Sequence, residues 1–164
     1  MKILGIDPGI ATTGFGLIEN KGSNLCLLDY GVVTTSPKFS PGERLNKLYT
    51  ELTLILKKQK PEEVAIEELF FAKNVKTAMM VSQARGVIML SCMRSRMKEI
   101  FEYTPLQVKL ALSGYGRAEK PQVLKMVMTL LNLREIPKPD DAADALAIAV
   151  CHFNSRISNS YKQT

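Results

Sequence analysis

The chain has 164 residues and a mass of 18.2 kDa, with 46% hydrophobic and 23% charged residues. These values indicate one globular domain that folds without a disulfide or metal staple, and they exclude a collagen-like, coiled-coil or disordered chain. Three scattered cysteines and one histidine form no zinc motif, and no stretch reaches the ~18 apolar residues of a membrane span. We therefore expect a soluble cytoplasmic protein with reduced cysteines.

The positive charge is concentrated in one part of the chain. The net charge is +6, from 22 basic and 16 acidic residues. Residues 94–138 alone hold nine basic and four acidic residues, a net of +5. This concentration favours a phosphate-bearing partner. A solvated helical face would give the same pattern, and charge alone does not separate the two.

Apolar patterning predicts three strands joined by short turns at the start of the chain, an antiparallel meander. A capping box at Ser40 and Glu43 then begins a helix that reaches about Lys58. A fourth strand surrounds Val64–Ile66, and a long helix rich in methionine follows it. The predicted strands are Lys2–Asp7, Thr12–Glu19, Leu25–Thr35, Val64–Ile66 and, further on, Ile100–Tyr103.

Four helices are predicted in the second half of the chain, counting the methionine-rich one. They are Lys76–Met97, Thr104–Leu112, Lys120–Asn132 and one from Asp140 through Phe153. The order β-β-β-α-β-α-β-α-α-α indicates an α/β fold, a five-stranded mixed sheet with helices on both faces. We assign residues 1–155 to one domain and residues 156–164 to a polar C-terminal tail that frays.

Four carboxylates stand out by position. Asp7 and Glu67 end apolar strands that lie side by side if the connection between them is a right-handed crossover. Asp141 and Asp144 lie three residues apart in the first turn of the last helix and face the same way. Asp140 and Asp144 also face together, so the residues alone do not choose between Asp140 and Asp141. Each acid alone has an ordinary role open to it as a turn former or helix cap.

Four carboxylates at one place repel each other unless some remain protonated or a cation binds. Hard oxygen ligands without histidine or cysteine favour Mg²⁺ or Mn²⁺ over Zn²⁺. Two such ions can activate a water and stabilise the leaving oxygen of a phosphodiester. His152 lies about 12 Å along the helix from Asp144 and is expected to be packed or solvated instead.

Seven stretches of the sequence, in order over residues 3 to about 152, resemble the RuvC family of Holliday-junction resolvases. They are Ile3–Gly9, Ala65–Glu67, Phe70–Asn74, Gln83–Val87, Gln107–Lys109, Ala118–Lys120 and Asp141–Ala147. The resemblance implies an RNase H-like fold, a homodimer, and Mg²⁺-dependent paired nicking of four-way DNA junctions. It also implies the RuvA and RuvB branch-migration proteins as partners. Together with the acid cluster, it predicts two Mg²⁺ ions per active site, with Mn²⁺ as a substitute. Glu68 and Asp140 depart from the familiar pattern and add negative charge near the site.

The resemblance also implies a role for individual residues. Asp7, Glu67, Asp141 and Asp144 would be the catalytic, metal-binding acids, which favours Asp141 over Asp140. Lys109 and Lys120 would contact DNA, and Phe70 would contact bases near the crossover. The methionine-rich helix is the candidate dimer interface, although a role in the core alone fits its pattern too. Phe70 could likewise be an ordinary core residue.

Three further functions are compatible with parts of this pattern. Residues 7–14 also look like the first phosphate loop of actin-like ATPases and sugar kinases, but such two-lobed folds need roughly twice this length. An RNase H-like enzyme that cuts RNA in RNA–DNA hybrids would use the same acids, and a junction-binding module without catalysis would use the same basic segment. Cleavage assays on a junction, a linear duplex and a hybrid would separate the two nucleases from each other and from a module without catalysis. Binding of ATP in calorimetry, without junction cleavage, would favour the actin-like function.

Overall fold

The structure is a computed structural model and describes residues 1–22, 24–68 and 75–161. It contains five strands and five helices within these residues. The strands are β1 (Lys2–Asp7), β2 (Thr12–Lys21), β3 (Asn24–Thr34), β4 (Glu63–Glu67) and β5 (Ile100–Tyr103). The helices are α1 (Pro41–Gln59), α2 (Val75–Arg94), α3 (Pro105–Ser113), α4 (Lys120–Leu130) and α5 (Asp140–Tyr161).

The strands form one mixed sheet in the order β3-β2-β1-β4-β5. β1, β2 and β3 pair antiparallel, as predicted for a meander, whereas β1 pairs parallel with β4 and β4 with β5. Ile6 pairs with Ile66. Asp7 and Glu67 each follow that pair by one residue, so both strands deliver an acid to the same edge of the sheet.

Helices cover both faces of the sheet, as the sequence predicts. Alternate residues of a strand point to opposite faces, and β1 separates its side chains accordingly. Leu4 and Ile6 belong to the apolar cluster that α1 and α2 complete. Ile3 belongs to the other cluster, which α3, α4 and α5 complete. The fold is therefore a three-layer arrangement with one apolar core on each side of the sheet.

The helix boundaries agree with the capping signals and differ where those signals are weak. The capping box predicted at Ser40–Glu43 is present, and the helix predicted from Thr104 begins with a second one at Thr104–Gln107. α2 ends at Arg94 instead of Met97, because Arg96 turns into the left-handed region with φ of 65°. α5 continues to Tyr161, so the boundary predicted at residue 155 does not coincide with a helix end.

The cysteines and the histidine lie away from the acids that end β1 and β4. Cys92 and Cys151 are buried, Cys26 is half-buried, and all three are free thiols. His152 is fully buried between Tyr103 and Glu63. In the described ranges, no helix combines the length and the apolar character that crossing a membrane requires.

Candidate active site

Three of the predicted acids line one cavity of about 180 Å³. Asp7 comes from β1, Glu67 from β4 and Asp144 from α5. Lys109 and Lys120 line the same cavity, which we call the carboxylate cavity. Elements from opposite ends of the chain thus bring carboxylates and ammonium groups to one place, at the carboxyl edge of the two parallel strands.

Burial and mutual repulsion make these acids hold their protons more tightly than usual. The pKa of Asp7 is raised to about 8, first by burial and then by the negative charges of Glu67, Asp144 and Asp141. The pKa of Glu67 is raised by burial and by Asp144. Burial also raises the pKa of Asp144, even though Lys120 opposes the shift. The acids of this cluster therefore retain protons more readily than isolated carboxylates, and they would ionise together only beside added positive charge.

Lys120 provides partial compensation on one side of the cavity. Its Nζ donates a hydrogen bond to Oδ2 of Asp144 at 2.7 Å and lies 3.4 Å from Oδ2 of Asp140. Asp140 is largely exposed and does not line the cavity. Asp141 does not line it either, but its charge raises the pKa of both Asp7 and Asp144. Asp141 therefore lies at the margin of the acid cluster, near enough to repel the carboxylate of Asp7.

Close contact between α5 and the sheet places Asp141 and Asp144 near Asp7. A Cβ atom at Gly14 of β2 would overlap the backbone oxygen of Asp141, and one at Gly5 of β1 would overlap that of Ala145. The opposing face of α5 is also made of small residues, including Ala142, Ala145 and Ala149. These glycines were not predicted as part of the site. Glycine at alternating strand positions opposite an alanine-rich helix is the signal that could have identified them.

The two lysines of the cavity are placed by helix starts. Thr104 follows β5 and caps α3, so α3 begins at the carboxyl edge of the sheet and directs Lys109 to the cavity. Gln122 accepts a hydrogen bond from the backbone N–H of Glu119, and this fixes the start of α4 at Lys120. Val108 and Val123 are buried beside these lysines and anchor both helices.

The donors of the carboxylate cavity fit a hard divalent cation. Asp7, Glu67 and Asp144 offer oxygen ligands, and no cysteine or histidine lines the cavity. This fit concerns the chemistry and charge of the donors and not their present arrangement. Within residues 1–22, 24–68 and 75–161, no three acid, histidine or cysteine side chains surround a common point where a metal could bind. A bound cation would neutralise the repulsion that raises the pKa of these acids.

Of the other residues singled out in the sequence, Glu68 and His152 do not line the carboxylate cavity. Phe70 falls outside the described residues, as does the stretch Phe70–Asn74, so its contact with bases stays a prediction. Glu68 is exposed, and its backbone N–H donates to the carbonyl of Tyr103. His152 is packed and hydrogen-bonded in the core away from the carboxylate cavity, as expected.

Comparison with known proteins agrees with this geometry over almost the whole chain. The family model described as crossover junction endodeoxyribonuclease RuvC matches residues 3–152. The protein of that name from Caldicellulosiruptor saccharolyticus is 56% identical over 99% of this chain and 98% of its own length.

Solved structures show the same likeness. The Thermus thermophilus RuvC structure is 38% identical with a TM-score of 0.88, covering 96% of this chain and 97% of its own. The structure of that RuvC in complex with a Holliday junction substrate is 35% identical with a TM-score of 0.87, covering 96% of both chains. The family comprises divalent-metal-dependent nucleases with an RNase H-like fold. This chain belongs to the RuvC family of crossover junction endodeoxyribonucleases.

Proposed function

We propose that the carboxylate cavity hydrolyses the phosphodiester backbone of a four-way DNA junction, with Asp7, Glu67, Asp141 and Asp144 holding two Mg²⁺ ions. The observation that carries this proposal is the meeting of Asp7, Glu67 and Asp144, each with a raised pKa, beside two lysines in one cavity. Such a cluster is costly unless cations and a phosphate bind to it.

The side chains of the cavity have separate tasks in this mechanism. When bound, the ions would supply an activated water and stabilise the leaving oxygen. Asp7 and Glu67 are fixed at adjacent strand ends, so their carboxylates form the rigid part of the ligand set. Asp144 is held in place by Lys120, whose ammonium group also meets any phosphate that enters the cavity. Lys109 lines the same cavity and offers a second cation to the DNA backbone.

Mg²⁺ is the expected ion, with Mn²⁺ as a substitute. Both prefer carboxylate and water oxygens, whereas Zn²⁺ prefers histidine and cysteine ligands. The three cysteines and His152 do not line the cavity. Two ions per site suit an in-line displacement with an attacking and a leaving oxygen.

Paired, symmetric nicks require a dimer, and α2 supplies the surface that we propose for it. A four-way junction has two-fold symmetry, so two equivalent cuts need two equivalent sites. α2 buries Ala84, Ile88 and Cys92 in the core and leaves three large apolar side chains exposed by more than half. These are Met79, Leu90 and Met93.

Gly86 lies on the same exposed stripe of α2 as these three side chains, since it is seven residues from Met79 and from Met93. A Cβ atom there would meet nothing within 4 Å in the protomer. A glycine at this place allows the helix of a second copy to approach closely. The occupant we propose for this face is therefore α2 of a second protomer, packed across a two-fold axis.

The dimer is tested with Leu90→Lys, which puts a charge in the proposed interface. Analytical ultracentrifugation should show a monomer, and junction cleavage should change from paired to single, uncoordinated nicks. Leu54→Lys on α1 is the matched control, because Leu54 is exposed to a similar degree on a different face. A Leu90→Lys protein that remains a dimer with paired nicks would contradict the placement of the interface.

RuvA and RuvB are proposed as partners from the family resemblance alone. The corresponding test is whether this protein joins RuvA and RuvB on a junction in gel filtration and whether their presence changes where it cuts. Independent binding of this protein to bare junction, with no effect of either partner, would count against the assembly.

The proposed activity is tested with a mobile four-way junction, a linear duplex and an RNA–DNA hybrid of matched sequence. Each is incubated with the protein in Mg²⁺, in Mn²⁺ and in EDTA. We expect paired nicks in the junction with either ion, and none in EDTA. Cleavage of the hybrid in preference to the junction would support an RNase H-like activity instead, and cleavage in EDTA would exclude the metal mechanism.

A further inference from the structure

A second cavity, of about 730 Å³, lies at the opposite end of the parallel strands from the carboxylate cavity. It is formed where α1 and α2 end and where the chain enters β4 and β5. β4 alone separates the two edges by roughly 13 Å at 3.3 Å per residue. We call it the basic cavity, because five cationic residues line it: Lys57, Lys60, Arg94, Arg96 and Lys98.

These five cations form no ion pair with an acidic residue that the structure describes. In the parts of the chain that the structure describes, none of the five lies within 4.0 Å of a carboxylate. Glu62 is the acid among the lining residues, but it already accepts a hydrogen bond from the backbone N–H of Lys2 and lies 3.7 Å from the N-terminal ammonium. The cavity thus concentrates positive charge that an anion would neutralise.

Helix dipoles explain only part of this concentration. Basic residues in the last turn of a helix are common, and Lys57 and Arg94 occupy such positions. Lys60, Arg96 and Lys98 lie beyond the helix ends, yet they line the same cavity. A separate reason is therefore needed for three of the five cations.

Two of these residues adopt a backbone conformation that glycine usually provides. Lys60 has φ of 49° and Arg96 has φ of 65°. Glycine is the common residue at such left-handed positions after a helix, because a Cβ atom there is unfavourable. At both positions the chain instead carries a long cationic side chain, and both face the same cavity.

A hydroxyl group without a partner lies in the wall of the basic cavity. Thr53 lines it, and its Oγ1 is shielded from solvent without any hydrogen bond to the described residues. A threonine in a helix commonly donates to the carbonyl four residues earlier, as Thr50 does to Asn46. Within the described residues, the Thr53 hydroxyl is therefore a buried donor without a hydrogen bond, in a residue that lines the cavity.

We propose that the basic cavity binds a nucleotide-sized ligand with clustered phosphates, such as a nucleoside polyphosphate. Guanidinium and ammonium groups are the usual partners of phosphate oxygens, and the cavity falls within the roughly 300–1,000 Å³ of small-molecule sites. Tyr49 lines the same cavity and offers an aromatic ring to a base. A DNA arm is the less suitable occupant, because duplex held at the carboxylate cavity lies at the opposite edge of the sheet. This site is independent of the proposed nuclease mechanism.

The proposal is tested by calorimetry on the full-length protein in EDTA at low salt, with ATP and inorganic tripolyphosphate as probes. The double variant Lys57→Gln/Lys98→Gln should weaken binding roughly tenfold or more, since it removes two charge-assisted contacts. The matched control, Lys38→Gln/Lys47→Gln, loses the same charge at exposed lysines outside the cavity and should bind as the wild type. Tighter binding of ATP than of tripolyphosphate assigns the site to nucleotides, and equal binding assigns it to the phosphates alone.

Several results would overturn the proposal. They are no binding of either probe, equal weakening in the control, or binding that depends on Lys120 and so belongs to the carboxylate cavity. Junction cleavage should be unchanged in Lys57→Gln/Lys98→Gln. A loss of junction affinity in this variant, without probe binding to the wild type, would assign the five cations to DNA instead.

Discussion

Strand β4 carries a glutamate at each end, and the two lie in opposite surroundings. At the start of β4, Oε2 of Glu63 lies 2.7 Å from Nε2 of His152, and its other oxygen forms an ion pair with Arg156. At the end of β4, Glu67 faces Asp7 and Asp144, and it has no ion pair in the described part of the chain. α5 lies beside both glutamates: it brings His152 and Arg156 to Glu63, but the like charge of Asp144 to Glu67.

The two glutamates differ in whether their charge is paired. Glu63 is paired within the protein and stabilises the fold, whereas Glu67 belongs to an acid cluster suited to binding a ligand. Both oxygens of Glu63 are used within the protein, so that end of the strand is electrostatically complete. At the other end, burial and repulsion raise the pKa of Glu67, and they raise the pKa of Asp7 to about 8. Retained protons relieve that repulsion in the protein alone, and a bound cation would relieve it with the acids ionised.

Asp7→Asn should produce the largest effect on cleavage, because it removes one carboxylate of the acid cluster at the end of β1 and β4. We expect junction cleavage to fall by roughly 10³-fold or more, about 4 kcal/mol of barrier. Junction binding should be kept or strengthened, since the basic contacts remain. Without divalent ions at pH 7, the variant should also be more stable by about 2–4 kcal/mol, because the native state disfavours the ionised carboxylate. Cleavage kinetics, junction titration and urea unfolding in EDTA measure these changes.

Glu63→Gln is the contrasting variant at the other end of the strand. It should lower the free energy of unfolding by about 1–2 kcal/mol, since Arg156 loses its charged partner. Cleavage per folded molecule should be nearly unchanged. The roles given to the two acids would be wrong if Asp7→Asn lost junction binding and stability together while Glu63→Gln lost neither. Asp7 would then be the structural acid.

Gly14→Ala tests how tightly α5 must sit on the sheet to complete the carboxylate cavity. The added Cβ would overlap the backbone oxygen of Asp141, so α5 has to move away from β1 and β2. We expect a loss of about 2–3 kcal/mol in unfolding free energy and a larger loss of cleavage than of junction binding. Gly42→Ala is the control, because a Cβ there meets nothing within 4 Å, and it should be nearly neutral. Equal effects of both variants would show that close packing at Gly14 is unimportant.

Much of the fold was predictable because local signals and periodicity agreed. The strands ending at Asp7 and Glu67 and the capped starts of α1 and α3 appear where the patterns indicate. The pairing of the acids followed from one topological rule, since parallel neighbours end at the same edge. These predictions depend on interactions within a few residues or on general rules of chain connection.

Other features depend on contacts between distant residues. Nothing local in the sequence around His152 indicates that it binds Glu63 and Tyr103, which lie 89 and 49 residues away. The end of α2 depends on a left-handed Arg96, which the apolar pattern does not reveal. Helix spacing alone allowed either Asp140 or Asp141 to face Asp144. The close approach of Gly14 to Asp141 and the ion pair of Lys120 with Asp140 place the two residues in the structure.

His152, which pairs with Glu63 at the start of β4, should make the stability of the protein sensitive to acid. Burial lowers its pKa to about 4, and the neutral ring can accept from Tyr103 Oη–H at Nδ1 while Nε2–H donates to Glu63. Because the unfolded pKa near 6.5 is higher, the unfolded state takes up the proton first. Stability contributed by the neutral ring is therefore complete above pH 6.5 and lost as pH falls toward 4. Between pH 7 and 5 we expect a loss of about 2 kcal/mol.

The acid sensitivity is measured by urea unfolding of the wild type and of His152→Gln at pH 7 and pH 5. The variant is expected to be less stable at pH 7 but to lack the additional loss at pH 5. Comparing the two proteins cancels the contributions of the carboxylates, which both retain. The same pH dependence in both proteins would mean that His152 is not the group responsible.

Lys109→Ala should give the smallest effect on junction binding. Lys109 lies at the carboxylate cavity, at the Glu67 end of β4. Lys109 lines the carboxylate cavity without an ion pair in the described ranges, so its charge is available to a DNA phosphate. Loss of one phosphate contact should weaken junction binding by about 1 kcal/mol and reduce the slope of log K against log salt by about 1. Junction titrations at four salt concentrations measure both, with Lys38→Ala as a control of equal charge at an exposed turn. An unchanged slope in Lys109→Ala would mean that this ammonium group meets no phosphate, leaving Lys120 as the lysine of the cavity that does.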